Sequence, residues 1–181
     1  MVSVPADVIM HSIAWWPTLF IVIVATVTDL RSRRVPNWLV FPSLLGGLVV
    51  CTITGGWAGL GQSVLGVLLA VLALGGFYLV GGMGMGDVKL FAAIGAWIGP
   101  WQLVFAFIFM GLAGGLMLLA WAVRGGFVNE TLSGTADLIF DFRKRGLRPH
   151  ATLALANPSA RKMPYAPAIA IGTILSFFAL A

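Results

Sequence analysis

The sequence predicts an all-α integral membrane protein: a bundle of about six transmembrane helices forming a single domain over residues 1–181. Three observations carry that prediction. Of the 181 residues, 60% are hydrophobic and only 9% charged, with a mean hydropathy of +1.00; a soluble domain carries about 25% charged residues. The apolar residues gather into six runs bounded by Gly, Pro or charge, most of them near the ~20 residues that a spanning helix needs. The basic residues fall only in alternate loops, as they do in multi-pass proteins.

The first run, about 12–28, follows an opening stretch without Lys or Arg and without a clear A-x-A site after it, so no cleavable signal peptide is expected. It ends at Val27-Thr28-Asp29-Leu30-Arg31. The second, about 38–54, begins after Pro36, which restricts Val35 to an extended conformation, and after Asn37, whose side chain can cap a helix. The third covers about 62–80 and runs into glycines. The fourth, about 87–99, opens on Asp87 and is short: at 1.5 Å per residue it covers about 20 Å of a core about 30 Å thick. Either it starts part-way into the membrane, or it forms one kinked hairpin with the fifth run, about 101–123, around Gly99-Pro100. Gly111 and Gly115 in the fifth run form a GxxxG, a pattern that reads as close helix packing in lipid. The sixth run covers about 163–180. Before it lies a long loop, about 124–162, in which Asp137-Leu138-Ile139-Phe140-Asp141-Phe142-Arg143-Lys144-Arg145 suits either a connector or a short interfacial helix on anionic lipid.

Counted against alternating loops, all 11 basic residues lie on one side. The positive-inside rule makes that side cytoplasmic and puts both termini outside. The net charge of +5 then faces anionic inner-leaflet lipid, so nucleic-acid binding is not expected. The same numbering sets Asp29 and Asp87 at the cytoplasmic face. A carboxylate at membrane depth costs about 2.5 kcal/mol or more, so two of them on one face of a nearly acid-free chain point to use.

Other chemistries lack their residues. Cys51 stands alone, which excludes an internal disulfide or a CxxC metal pair and suits a small core residue. His11 and His150 are the two histidines, on opposite sides in this topology, so a histidine-based nucleophile is not supported. No H-E-x-x-H is present, a divalent cation on the two aspartates would need additional oxygen ligands, and no metal or other cofactor is expected. Two carboxylates that approach within a few ångströms share one proton near neutral pH, and such a pair can deprotonate water and protonate a leaving amine. The surroundings suit a built site. Gly82, Gly84 and Gly86 precede Asp87 and allow close backbone approach or unusual φ. Lys89 can favour an ionised Asp87 or contact lipid phosphate, and Arg33 stands at i, i+4 from Asp29 as a candidate ion-pair partner. Pro36, Asn37, Gly84, Gly86 and Lys89 are the expected supporting residues.

These segments resemble the type IV prepilin peptidase family. Asp29-Leu30-Arg31-Ser32-Arg33-Arg34-Val35-Pro36-Asn37 is similar to its D-x-R-x-x-x-[IV]-P-N segment, and Gly84-Met85-Gly86-Asp87-Val88-Lys89-Leu90 to its G-x-G-D-x-K-L motif. Pro164-Tyr165-Ala166-Pro167-Ala168-Ile169-Ala170-Ile171-Gly172 is similar to the opening of its last span. The resemblance implies an aspartic endopeptidase of the bacterial inner membrane with Asp29 and Asp87 as its catalytic pair. Its partners would be prepilin or pseudopilin substrates, in which a short basic leader precedes an apolar helix, cut at the cytoplasmic face. Larger members carry paired CxxC motifs and also N-methylate the product. With one cysteine, this chain resembles the short, peptidase-only members, including those serving Flp-type pili, and methyl transfer is not expected.

Two other readings share these residues. Presenilin-type proteases also carry G-x-G-D, with a Y-D pair and a P-A-L motif where this chain has Thr28-Asp29 and Pro167-Ala168-Ile169. A proton-coupled transporter or channel would use paired carboxylates as proton sites, nearer the bilayer midplane and with internal repeats.

Overall fold

The computed structural model describes residues 6–79, 83–126 and 165–179, with residues 6–12 described by their backbone alone. Four helices make up these segments: α1 (Ala6–Ser32), α2 (Asn37–Leu79), α3 (Met85–Gly125) and α4 (Ala166–Ala179). α1, α2 and α3 are long and apolar enough to cross a membrane; α4, with 14 residues, is apolar but shorter. The loop expected at about 124–162 lies outside the described residues beyond Gly126, which caps α3 in a left-handed conformation.

The two longest helices fold back on themselves. Gly56 (φ 58°) breaks α2 and Gly99 (φ 72°) breaks α3, each at a positive φ that glycine adopts without a Cβ penalty. In α2, a Cβ on Gly47 would meet Ala96, and Ser63 Oγ donates to the Ala96 carbonyl at 2.7 Å. A straight helix would hold residues 47 and 63 about 24 Å apart. They meet the same residue because residues 37–55 and 57–79 run antiparallel. In α3, the Phe91 and Phe107 rings stand 6.3 Å apart, again about 24 Å of straight helix, so residues 85–98 and 100–125 form a second hairpin. The fourth and fifth apolar runs are therefore joined at Gly99-Pro100, the hairpin alternative. Residues 55–61, expected as a loop between the second and third runs, are helical apart from the single reversal at Gly56. One glycine at positive φ suffices to turn the chain there, so the glycine-rich stretch needs no longer linker.

The first arm of α3 is the centre of the bundle. Leu90, Phe91, Ala93, Ile94 and Ala96 are fully buried. The arm is clasped by both arms of α2, with Trp97 Nε1 donating to the Ser43 carbonyl at 2.8 Å. α4 lies on the second arm of α3, where Gly172 brings it against the backbone of Ala106 and Met110. α1 closes against α4 through Trp15, edge-on to Phe177 at 4.7 Å and to Phe178 at 5.9 Å.

The outer surface is apolar, which is the reverse of a water-soluble protein. Trp57, 87% exposed, and Trp101, 71% exposed, flank the two reversals at one end, where an amphipathic ring suits a membrane–water interface. The basic residues of the described segments, Arg31, Arg33, Arg34, Lys89 and Arg124, stand at the other end, where α1 stops and α3 begins and ends.

Candidate active site

At the basic end, α1 terminates through Arg33. This residue takes a positive φ of 50° and donates its backbone N–H to the Asp29 carbonyl at 2.7 Å. Arg33, a candidate ion-pair partner for Asp29, thus meets it through the backbone. The next three residues leave the helix, and α2 starts on the Pro36 carbonyl, which accepts the N–H groups of Leu39 at 3.1 Å and Val40 at 3.4 Å. Pro36 therefore holds the capping position expected of Asn37. Its ring presets φ and it has no N–H to leave unpaired, and Asn37 becomes the first helical residue, lining the cleft.

Gly84 is the N-cap of α3, in an ordinary extended conformation (φ −77°, ψ 146°). The expectation of an unusual φ is thereby corrected; what the position needs is space. A Cβ on Gly84 would lie 3.2 Å from Asp87 Oδ2, and one on Gly86 would lie 3.4 Å from Val35 Cβ. The two glycines let the first turn of α3 settle onto its own carboxylate and onto the segment that follows α1.

Asp29 and Asp87 are brought together by this arrangement. Both are buried, with 6% and 9% of their surface exposed, and both open onto one polar cleft of about 270 Å³. They interact electrostatically with each other. Arg33, Arg34, Val35, Asn37, Gly84, Gly86 and Lys89 complete the lining. Lys89 also stands over the Phe41 ring, its Nζ 5.9 Å from the ring centre, so its cation is shared between an aromatic face and the cleft.

The charge of Asp29 has a structural partner from the far end of the chain. Asp29 Oδ2 accepts the backbone N–H of Ala166 at 3.1 Å, at the first residue of α4. Asp87 occupies the first turn of α3. Asn37 begins α2 at the same cleft. Three helix N-termini thus converge here, and their unpaired N–H groups and positive dipole ends offset the cost of burying two carboxylates. Among the described residues no third metal-ligating side chain joins the pair.

Sequence reasoning missed two features. The Ala166 N–H carries no side-chain signal, although it falls within the recognised proline-aromatic segment. Tyr165, beside it, is half-buried and close enough to Asp87 for its phenol to feel that charge.

Fold and site together define a helical membrane protein that holds two buried carboxylates in one polar cleft at the end of its bundle. The chain belongs to the type IV leader peptidase family, whose model matches residues 16–119. It is similar to the prepilin leader peptidase/N-methyltransferase of Aeromonas hydrophila, with 36% identity over 115 residues covering 56% of this chain and 39% of that protein. It is also similar to the protein of the same name from Bacillus subtilis (strain 168), with 31% identity over 161 residues covering 87% of this chain and 52% of that one. The chain thus spans about two fifths to one half of the length of these two curated relatives. No solved structure matches it.

Proposed function

We propose that this chain is an aspartic endopeptidase that removes the leader of type IV prepilin-like substrates, those of Flp-type pili included, with Asp29 and Asp87 as its catalytic pair. The observation that carries the reading is the shared cleft: two carboxylates from different helices, each more than nine-tenths buried, facing one space large enough for a peptide segment and water. One carboxylate takes a proton from water as its oxygen attacks the scissile carbonyl. The other donates its proton to the departing amine nitrogen, so the pair ends with its single proton exchanged between its members. Family membership supports the substrate class. Methyl transfer forms no part of the proposal.

The two hairpins would each cross the membrane twice, which with α1 and α4 makes six crossings. The cleft would face the cytoplasm of a bacterial inner membrane, because the basic residues of the described segments share its end of the bundle. The test is cleavage of a purified prepilin-like substrate by wild type, Asp29→Asn and Asp87→Asn. Each variant is expected to lose at least a hundredfold in rate while keeping its helical content. Full cleavage by either folded variant would remove that aspartate from the pair. Proton flux in liposomes that needs both residues, without cleavage, would favour the transporter reading.

A further inference from the structure

A second hollow adjoins the cleft. It is an apolar groove of about 450 Å³ between the end of α2, the second arm of α3 and the start of α4. Leu74, Phe77, Gly111, Gly115 and Leu118 line it, together with Met83 and Tyr165, which stand just before the starts of α3 and α4. Among the described lining residues, the Tyr165 hydroxyl is the one polar side-chain group. From Phe107 to Leu118 the groove follows α3 for twelve residues, about 16 Å or three helical turns.

Its position links it to the carboxylates. Met83 and Tyr165 line the groove, and the residues that follow them, Gly84 and Ala166, touch Asp87 and Asp29 respectively. Two consecutive pairs of residues therefore face the groove with one member and the dyad with the other. Of the three glycines on the groove wall, Gly114 faces Ala168 of α4, where a Cβ would lie at 3.6 Å, and the other two stand clear. A Cβ on Gly111 or Gly115 would meet no described residue within 4 Å, in contrast to Gly172, which sits against backbone. The GxxxG of α3, which the sequence reads as a packing motif, is left open by the described helices. Small residues let another helix approach closely in lipid, where apolar burial gives no driving force of its own.

We infer that this groove seats an apolar helix of the peptide substrate, so that the chain leaving the end of that helix passes Tyr165 and Met83 and reaches Asp29 and Asp87. The inference rests on the peptidase reading above. Substrate selection then has two parts. The groove holds about three apolar turns by shape, and the cleft receives the polar segment next to them.

The test uses the full chain in detergent micelles with two substrates: a prepilin-like protein carrying its apolar helix, and a short soluble peptide spanning the same cleavage site without it. Gly111→Leu and Gly115→Leu fill the groove where the structure has room for a side chain, so folding is expected to be retained and is checked by thermal melting. In these variants kcat/KM for the helical substrate is expected to fall at least tenfold further than for the short peptide, chiefly through KM. Equal losses for both substrates in folded variants would overturn the inference and leave the peptidase reading standing. Cleavage of neither substrate by wild type would overturn both. A second measurement does not depend on leucine fitting. In a Cys51→Ala background, Gly111→Cys is expected to cross-link to a cysteine placed in the substrate helix. Cross-linking instead to a second copy, or to cysteines introduced at positions 127–164 of the same chain, would assign the groove to those occupants and overturn the inference.

Discussion

Gly84→Ala separates the geometry of the carboxylates from the stability of the fold. The new Cβ would lie 3.2 Å from Asp87 Oδ2, tighter than ordinary contact, so the carboxylate must give way by a few tenths of an ångström. A misplacement of 1 Å in an active site costs about a hundredfold in rate, so a shift of this size predicts a loss of about two- to fivefold. Stability should move little, because two backbone effects oppose each other. At φ −77° alanine is unstrained, and replacing glycine lowers the entropy of the unfolded chain, a gain of about 0.4–1 kcal/mol. Alanine is a poorer N-cap than glycine, a loss of up to about 1 kcal/mol. The assay is initial-rate cleavage of a prepilin-like substrate beside a thermal melt of the same preparation. A folded variant with wild-type kcat would refute the argument that Gly84 is required by the position of Asp87. So would a loss of activity that merely follows a loss of folded protein.

Two further substitutions test the bundle. Gly172→Ala drives a methyl group into the backbone of Met110 and Ala106, which cannot rotate away, and should destabilise the protein by about 1–3 kcal/mol; an unchanged melting temperature in detergent would show that α4 sits elsewhere. Gly56→Ala meets no described atom within 4 Å, so its cost should be conformational alone, about 1–3 kcal/mol, because φ 58° with ψ −143° is backbone that essentially only glycine adopts; Gly56→Asn should cost about as much in the same chemical-denaturation series, and a variant as stable as wild type would show that the chain does not reverse there.

The helices were legible because lipid imposes a simple rule on composition: runs that satisfy their own backbone and expose apolar side chains must be helical. The two carboxylates were legible for the converse reason, since a charge in such a run needs an explanation. What the sequence left open depends on contacts between distant segments. The second and third apolar runs read as separate spans with residues 55–61 between them, yet one positive φ at Gly56 reverses the chain. Asn37 is a better capping side chain than proline, yet the Pro36 carbonyl begins α2 because the chain enters it from an extended segment. Gly84 reads as a residue of close approach and unusual φ; the close approach is there, to a carboxylate oxygen three residues on, while its φ is ordinary. Gly111 and Gly115 read as packed, yet no described helix lies against them. In each case local pattern identified a residue of consequence and tertiary placement decided what the consequence was.

The hydrogen bond between Ala166 and Asp29 joins residues 137 positions apart, so it also sets an order of events during synthesis. Asp29 enters the membrane early with α1, and Asp87 follows, but the amide that fixes the first carboxylate emerges from the ribosome only with α4. A nascent chain halted before Ala166 carries both acids without the clasp that orients one of them. The carboxylate pair is therefore completed by the last described helix to be made, and on the peptidase reading a partly synthesised chain has no finished site with which to cut its neighbours.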